Sequence, residues 1–432
     1  MTQRLLIRGG RLIDPGQKLD TVGSLFVEDG RISRLAEAEP DSPGDCDVLD
    51  AEGLVVCPGF IDLHCHLREP GQEEKETSAT GTRAAARGGF TTVCCMPNTL
   101  PPLDSREVVD RLMARVARDA VVRVLPVACV TRGRNGEKLV DMASLVDAGV
   151  VGFSDDGDPV TVVGVMRRAL ELSVELGRPV IDHCEDKTLT AGGVINAGAA
   201  AETLGVVGMP AHAEELLVAR DLELAKATGG WLHVAHVSTE SAVELVRLAK
   251  VKGLAVTAEV TPHHLTLTEE EVILSQANAK VNPPLRTGKD VRALVDGLRD
   301  GTIDAIATDH APHTEAEKQR GLADAPFGFS VLETAFGSAM SLVHAGHLPL
   351  AVLIERLTTG PARILGENGT GLGTLAVGSV ADITIIDTER EWLVDPAEFA
   401  SKGKNTPLSG RTLKGRVVAT LAGGKLVHSD DS

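Results

Sequence analysis

This sequence of 432 residues has few aromatic residues and no long apolar run. It contains no tyrosine, and aromatic residues make up only 2% of the chain. Because stacking on nucleic-acid bases requires aromatic rings, the composition argues against that kind of recognition. No apolar stretch approaches the roughly 20 residues that a membrane-spanning helix needs, so an integral membrane protein is not expected.

Basic residues and a disulfide-type cysteine pattern are also lacking. The formal net charge is −18, from 43 basic and 61 acidic residues, which argues against binding to nucleic acid or to an anionic membrane surface. The seven cysteines are odd in number and irregularly spaced, which predicts reduced thiols rather than disulfides. The N-terminal residues lack the apolar segment of a signal peptide. We therefore expect a cytoplasmic protein that binds a small molecule or another protein.

Short β-branched runs alternate with longer amphipathic segments through most of the chain. The runs predict eight strands at residues 59–64, 90–96, 121–129, 150–154, 180–183, 231–236, 255–260 and 303–308. Helical periodicity marks the intervening segments 105–120, 163–176, 213–228, 240–251 and 290–300. Eight strand–helix units in series predict an α/β fold, the TIM (β/α)8 barrel, over residues 58–369.

The two ends of the chain have a different pattern. Residues 6–13, 25–32 and 417–428 each hold two apolar runs around a Gly-Gly or Asp-Gly turn, which is typical of β-hairpins. Neither end is long enough to bury a core alone. We therefore expect residues 1–57 and 370–432 to form one small composite β-sandwich beside the barrel.

The most informative motif is His64-Cys65-His66, which follows the first predicted barrel strand. Residues i and i+2 of a strand lie on one face, so both imidazoles point the same way. Pro70 and Gly71 break the chain just after the motif, which places the pair at the C-terminal end of the strand. Active sites of TIM barrels lie at that end. The pair therefore indicates a metal site.

Other predicted strands also end in polar residues suited to metal binding. Their ends carry Arg68, Asn98, Asp155, Asp156, Asp182, His183, His236, Asp309 and His310. Four histidines with two or three carboxylates suit two divalent ions such as zinc, bridged by a carboxylate. Spacing leaves open whether Asp155 or Asp156 would bridge. Strand parity predicts that His233 points towards the helices, so no ligand role is expected for it.

Several longer motifs pass through the same strand ends. They are Pro58-Gly-Phe-Ile-Asp-Leu-His-Cys-His-Leu-Arg-Glu-Pro-Gly71, Met96-Pro-Asn98, Phe153-Ser-Asp-Asp-Gly157, His233-Val-Ala-His-Val-Ser-Thr239, Thr261-Pro-His-His264, Asn282-Pro-Pro-Leu-Arg286, Ala307-Thr-Asp-His-Ala-Pro-His313, Pro326-Phe-Gly328 and Ser401-Lys-Gly-Lys-Asn-Thr-Pro407. With these motifs the chain resembles a class I dihydroorotase of the amidohydrolase superfamily. Related hydantoinases, dihydropyrimidinases and allantoinases usually carry a carboxylated lysine at the end of strand four. This chain has aspartates there, which favours the dihydroorotase.

The resemblance also implies roles for individual residues. It implies metal ligation by His64, His66, His183, His236 and Asp309, with Asp156 as a bridging carboxylate. It implies substrate contacts from Arg68, Asn98, Asn282, His313, Phe327 and Gly328. Asp309 would in addition be the catalytic acid–base group. The implied cofactor is zinc, at two ions per chain.

The expected activity is the reversible, zinc-dependent hydrolysis of L-dihydroorotate to N-carbamoyl-L-aspartate in de novo pyrimidine biosynthesis. Two alternatives stay open. One is hydrolysis of another cyclic ureide, such as hydantoin, a dihydropyrimidine or allantoin. The other is a non-catalytic scaffold that binds aspartate transcarbamoylase, which is also a candidate partner of the enzyme. A homo-oligomer is expected, without contacts to nucleic acid or membrane.

Overall fold

A computed structural model describes residues 4–36 and 46–430 of the chain. Within them lie two eight-stranded sheets and one short pair of strands. In chain order the strands are β1 Arg4–Asp14, β2 Leu19–Glu28, β3 Arg31–Ala36, β4 Asp47–Asp50, β5 Val55–Pro58, β6 Phe60–Cys65, β7 Phe90–Cys95, β8 Arg123–Ala128, β9 Gly152–Phe153, β10 Val180–Asp182, β11 Ile195–Asn196, β12 Gly208–Met209, β13 Leu232–Val234, β14 Val256–Val260, β15 Ala305–Ile306, β16 Ile383–Leu393, β17 Thr412–Ala422 and β18 Lys425–Ser429.

Eight parallel strands, β6–β10 and β13–β15, follow one another around a barrel. The ring is completed between β15 and β6. There the Asp309 amide donates to the His64 carbonyl, and the His66 amide donates to the His310 carbonyl, each at 2.9 Å. The predicted TIM barrel is therefore confirmed. Its fourth and eighth strands are shorter than predicted, since only Gly152–Phe153 and Ala305–Ile306 form strands there.

Helices connect the strands and cover the outside of the barrel. They are α1 Ser78–Arg87, α2 Arg106–Asp119, α3 Met142–Asp147, α4 Val163–Leu176, α5 Lys187–Thr190, α6 Ala199–Leu204, α7 His212–Thr228, α8 Glu240–Val251, α9 Pro262–Thr266, α10 Glu270–Ser275, α11 Gly288–Asp300, α12 Glu315–Lys318, α13 Ala335–His344, α14 Leu350–Leu357 and α15 Thr359–Ile364. The five predicted helices are present, with ends within two residues of the prediction. None of the helices in the described ranges is long and apolar enough to cross a membrane.

The two termini meet in one sheet beside the barrel. Its strand order is β18-β17-β16-β5-β1-β2-β3, and β4 pairs with β1. Antiparallel pairing of β16 with β5, from Ile383 opposite Pro58 to Ile386 opposite Val55, joins the C-terminal strands to the N-terminal ones. Strands from both ends of the chain therefore form one unit, as expected, and they lie in a single hydrogen-bonded sheet. The description of this unit as a two-layered β-sandwich stays a prediction. The domain boundaries at residues 57 and 370 stay predictions.

Three apolar clusters support this architecture. The largest lies between the barrel strands and the helices and includes Phe60, Phe90 and Phe153. The interior of the barrel holds a second cluster, formed by Ile61, Leu63, Cys94, Met96, Val127, Val151, Ile181 and their neighbours. The third fills the terminal sheet with Ile7, Leu12, Leu25, Val27, Ile32, Val56, Ile383, Ile385 and Leu421. All seven cysteines are unpaired, and all except Cys46 are buried.

Candidate active site

A cavity of about 450 Å³ lies at the C-terminal ends of the barrel strands. Its walls include eleven of the twelve residues predicted for the site, namely His66, Arg68, Asn98, Asp156, His183, His236, Asn282, Asp309, His313, Phe327 and Gly328. The twelfth, His64, lies beneath them with 1% of its surface exposed. The structure therefore brings all the predicted side chains to one end of the barrel.

One group of possible metal ligands combines strand one with strand eight. His66 Nε2 lies 3.1 Å from Asp309 Oδ1, and His64 Nε2 lies 3.6 Å from the same oxygen. His64 Nε2 is also 3.3 Å from Asp156 Oδ1. Ligand atoms bound to one tetrahedral zinc are separated by about 3.3–3.6 Å, which follows from bond lengths of about 2.0–2.2 Å. These side chains have the spacing of one metal site.

A second group faces the first across Asp156. His183 Nδ1 and His236 Nε2 lie 2.9 Å apart, and each is 4.0 Å from Asp156 Oδ1. Asp156 therefore lies between the two histidine pairs, where a bridging carboxylate would be. Asp155 points elsewhere, because its carboxylate accepts hydrogen bonds from the amides of Val130 and Thr131 at 2.9 and 3.0 Å. Spacing alone could not separate the two aspartates, and the geometry does.

Hydrogen bonds on the far side of three imidazole rings fix their orientation. His64 Nδ1 contacts Glu259 Oε1 at 2.9 Å, and His66 Nδ1 contacts Asn98 Oδ1 at 2.8 Å. His183 Nε2 contacts Glu185 Oε2 at 3.0 Å. Such partners fix the tautomer and raise the basicity of a metal-binding histidine.

The donor set fits a divalent ion. The His64 Nε2 atom, aimed at this cluster, is buried and has no hydrogen-bond partner in the described part of the chain. Two trios of buried side chains, His64 with Asp156 and His236, and His64 with His66 and Asp309, have ligand atoms within 4.8 Å of one another. Imidazole nitrogens and carboxylate oxygens are the ligands of catalytic zinc sites.

The ionisation of the cluster also suits metal binding. Burial raises the pKa of Asp156, but the charges of His64 and His66 outweigh it and hold that pKa well below its usual range. The pKa of Asp309 is likewise lowered despite burial, chiefly by its hydrogen bond with His66. Burial and the neighbouring His183 and His64 lower the pKa of His236 to about 3. Ionised carboxylates and the neutral His236 imidazole are the forms that bind metals. The pKa values of His64 and His183 are raised in spite of burial by neighbouring carboxylates, so metal binding at these rings would release protons.

One wall of the cavity presents four of the residues predicted to contact the substrate, Arg68, His313, Phe327 and Gly328. The Arg68 guanidinium is buried, donates from Nε to the Pro312 carbonyl at 3.3 Å, and lies 3.3 Å from His313 Nε2 through Nη2. His313 Nε2 in turn contacts the Phe327 carbonyl at 2.8 Å. The Gly328 backbone lies beside them on the same wall. A guanidinium held in this way can grip a carboxylate through two parallel hydrogen bonds.

The two predicted asparagine contacts are placed differently. Asn282 lies near the second histidine pair, where its Nδ2 donates to Glu185 Oε2 at 2.8 Å. Asn98 reaches the cavity, but both ends of its amide are engaged: Oδ1 with His66 Nδ1 and Nδ2 with Asp156 Oδ2 at 3.0 Å. In this structure Asn98 orients the ligand cluster. Its contact with substrate stays a prediction.

Glu259 and Glu185 are site residues that sequence reasoning missed. Glu259 is the fourth of the five residues of β14 and is 1% exposed. Its carboxylate is ionised, because its contacts with His233 and His64 lower its pKa to about 2 in spite of burial. A carboxylate inside an apolar strand requires a partner, and that was the available signal. Glu185 follows His183 by two residues and lies in the cavity wall.

The predicted direction of His233 is wrong. Leu232 and Val234 belong to the cluster beneath the helices, so His233 points inwards, where its Nε2 lies 3.1 Å from Glu259 Oε2. The strand ends at Val234, and His236 has a φ of +30°, so regular alternation does not extend to it. His233 therefore braces Glu259 from the interior of the barrel.

A third trio of potential ligands lies behind the site. Asp182, Cys184 and Asp221 are buried and have ligand atoms within 4.8 Å of one another. The Arg220 guanidinium lies 2.7 Å from Asp221 Oδ1 and 3.9 Å from Asp182 Oδ2. Because this guanidinium already supplies the positive charge, we read the trio as a structural ion-pair network.

A barrel whose strand ends carry His-x-His, two further histidines and two aspartates defines the class of metal-dependent amidohydrolases. A solved structure of L-hydantoinase (dihydropyrimidinase) from Arthrobacter aurescens superimposes with a TM-score of 0.90 at 26% identity, covering 100% of this chain and 97% of that one. A family model described as Dihydro-orotase-like matches residues 53–242.

Curated relatives define the family within this class. A dihydroorotase from Pelotomaculum thermopropionicum is 52% identical over 428 residues, and one from Anaeromyxobacter dehalogenans is 49% identical over 433 residues. A dihydroorotase from Aquifex aeolicus is 46% identical over 429 residues. Each alignment covers 99% or more of this chain and of the relative. The chain belongs to the dihydroorotase family.

Proposed function

We propose that the chain catalyses the reversible hydrolysis of L-dihydroorotate to N-carbamoyl-L-aspartate, a step of pyrimidine biosynthesis. The observation that carries this proposal is the position of Asp156 between two histidine pairs, opposite a wall that presents Arg68. The first arrangement suits amide hydrolysis, and the second suits a substrate with a carboxylate. Relatives about 50% identical over their full length are named dihydroorotase.

Two divalent ions such as zinc are the proposed cofactor. His64, His66 and Asp309 would hold one ion, His183 and His236 would hold the other, and Asp156 would contact both. When bound, such ions polarise an amide carbonyl and lower the pKa of water from 15.7 to about 7. The chain supplies the fixed ring orientations through Glu259, Asn98 and Glu185.

Asp309 is the proposed general base and general acid. It is ionised and lines the cavity with 9% of its surface exposed. Its carboxylate would accept a proton from the attacking water and deliver it to the ring nitrogen as the C–N bond breaks. The ring carbonyl carbon becomes the new carboxylate, and its proton is released to solvent at neutral pH.

Arg68, His313 and the Phe327–Gly328 backbone are proposed to bind the carboxylate that dihydroorotate carries. The planar guanidinium matches a carboxylate fork to fork. Asn282 would contact the substrate from the opposite wall. Together they would hold the scissile bond over the ligand cluster and discriminate against uncharged rings.

Assays in both directions test the activity. Hydrolysis turns one carboxylate into two and releases a proton, so the equilibrium must shift towards N-carbamoyl-aspartate as pH rises. We expect the purified protein to accelerate ring closure in mild acid and ring opening in mild alkali. A metal-loaded sample that accelerates neither reaction would refute the proposal.

Hydrolysis of another cyclic ureide is the alternative that one observation favours, since a hydantoinase shares the fold at a TM-score of 0.90. Comparison of kcat/KM for dihydroorotate, hydantoin, dihydrouracil and allantoin separates the two, and we expect dihydroorotate to be preferred. A non-catalytic scaffold would show no metal-dependent turnover of any of them. The homo-oligomer, the aspartate transcarbamoylase partner and the cytoplasmic location stay predictions, to be checked by light scattering, co-purification and cell fractionation.

A further inference from the structure

A segment far from the barrel in sequence reaches the mouth of the barrel, the end at which the cavity lies. Residues 399–407, here named the crossing segment, lie between β16 and β17 of the terminal sheet. Its hydrogen bonds reach the loop that follows β15, at His313, Gly328 and Glu333, and the loop that follows β6, at Glu76. Its Asn405 side chain is buried, with 6% of the residue exposed.

Asn405 joins two loops of the wall formed by Arg68, His313, Phe327 and Gly328, here named the anion-binding wall. Its Oδ1 accepts from the His313 amide at 3.1 Å, and its Nδ2 donates to the Gly328 carbonyl at 3.0 Å. The Asn405 carbonyl accepts from the Ser330 amide at 2.8 Å. One side chain therefore bridges His313 and Gly328, which are fifteen residues apart, alongside the hydrogen bond from Lys318 Nζ to the Gly328 carbonyl.

The crossing segment also packs against Pro312, which contacts Arg68. A Cβ atom placed on Gly403 would lie 2.4 Å from Pro312 Cβ, so the crossing segment touches this loop with no room for a side chain. The Gly403 carbonyl accepts from Ser330 Oγ at 2.7 Å. The carbonyl of Pro312 in turn accepts a hydrogen bond from Arg68 Nε.

We propose that Asn405 is a positioning residue for the anion-binding wall, so that affinity for an anionic substrate depends on the crossing segment. This inference rests on the proposed function of that wall. Asn405 touches neither the substrate nor the ligand cluster. It acts through the His313 and Gly328 backbones. Its loss leaves the buried His313 amide without its partner, and the Gly328 carbonyl then keeps only the hydrogen bond from Lys318 Nζ, at 2.8 Å.

The test uses the zinc-loaded full chain with Asn405→Ala and Asn405→Asp. The aspartate keeps the size and the acceptor but loses the donor to Gly328. We expect KM for dihydroorotate to rise roughly tenfold or more, with kcat within about threefold of wild type and metal content unchanged, as for lost substrate binding. Asn368→Ala, in a partly buried turn of residues 366–369, is the matched control and should leave both constants unchanged.

Hydrogen exchange supplies a readout that does not need turnover. Peptides covering residues 311–313 and 327–330 should exchange faster in the Asn405 variants, while peptides covering β6 and β14 should not. Gly403→Ala should produce the same KM change by pushing the segment off Pro312, and it serves if Asn405→Ala does not fold.

The two proposals fail in distinguishable ways. If wild type does not turn over dihydroorotate, the proposed function falls and the exchange measurement alone decides the role of Asn405. If wild type is active but folded Asn405 variants keep wild-type KM, or keep wild-type exchange at residues 311–313, the positioning role is wrong. Equal losses in kcat and metal content would also overturn it, since they indicate general damage to the fold.

Discussion

At the mouth of the barrel the buried residues are histidines, carboxylates and an arginine, whereas the terminal sheet buries isoleucine, leucine and valine. The side chains of both regions are buried. Asp156 is 5% exposed and Leu25 is 0% exposed. The difference is in what the burial achieves: one region holds charged groups in a fixed geometry, and the other removes apolar surface from water.

The free-energy balance of the two regions differs accordingly. Burying a charge is unfavourable unless a partner compensates it, and in the mouth Asp156, Glu259 and Asp309 are each compensated by histidines. In the sheet, each fully buried leucine or isoleucine stabilises the fold by about 1.5–3 kcal/mol. We therefore expect substitutions in the mouth to reduce activity more than stability, and substitutions in the sheet to do the reverse.

The largest effect is expected for Asp309→Asn in the mouth. Loss of the proton-accepting oxygen should lower kcat for dihydroorotate by about 10²–10⁴. Steady-state kinetics should show a KM close to wild type, because the anion-binding wall is unchanged. The midpoint of thermal unfolding, measured on the same sample, should change little. A kcat near that of wild type would show that another group moves the proton.

Leu25→Ala tests the other side of the comparison. Leu25 is fully buried in the terminal sheet, and removal of its side chain should lower the free energy of unfolding by about 2–5 kcal/mol. Below the unfolding transition kcat and KM should match those of wild type. The measurement is denaturant unfolding with kinetics on the same preparation. Strong loss of kcat in the folded variant would mean that the sheet controls the chemistry directly.

Arg68→Lys separates charge from shape in the mouth. Lysine keeps the positive charge but loses the planar fork, so kcat/KM for dihydroorotate should fall about 10- to 100-fold, as for loss of a charge-assisted contact. Metal content should not change. An unchanged kcat/KM would remove Arg68 from substrate recognition and return uncharged cyclic ureides to consideration.

Glu259→Gln tests whether Glu259, below the mouth, affects metal binding through its hydrogen bond with His64. The amide keeps the shape but loses the charge that faces His64 and His233, so zinc affinity should fall by about 10-fold and at most about 100-fold. Competition with a chromophoric chelator measures this affinity. Glu270→Gln, on an exposed helical position, is the matched control. Equal zinc affinity in both variants would contradict the role given to Glu259.

Much of the fold could be predicted because its signals are local. The β-branched runs mark all eight barrel strands, and His64 and His66 mark the end of the first. Where the signal is weak the prediction was less accurate, as at the two-residue strand β9. Strand parity misplaced His233, because the strand ends before His236 and a positive φ changes the direction of the chain.

The parts of the site that escaped prediction depend on long-range contacts. Glu259 meets His64 across 195 positions of sequence, and Asn405 meets His313 across 92. No spacing rule connects such pairs, since their proximity follows from closure of the barrel and from the path of the crossing segment. The choice between Asp155 and Asp156 likewise required the positions of Val130 and Thr131, just after β8.

Turnover of dihydroorotate is expected to depend on metal ions held by the cluster around Asp156. The direct measurement is metal content and turnover on one purified sample, before chelation, after chelation and after zinc is restored. We expect turnover to disappear with the metal and to return with zinc, while the circular dichroism spectrum stays that of a folded barrel. Undiminished turnover in a sample shown to be free of metal would contradict it.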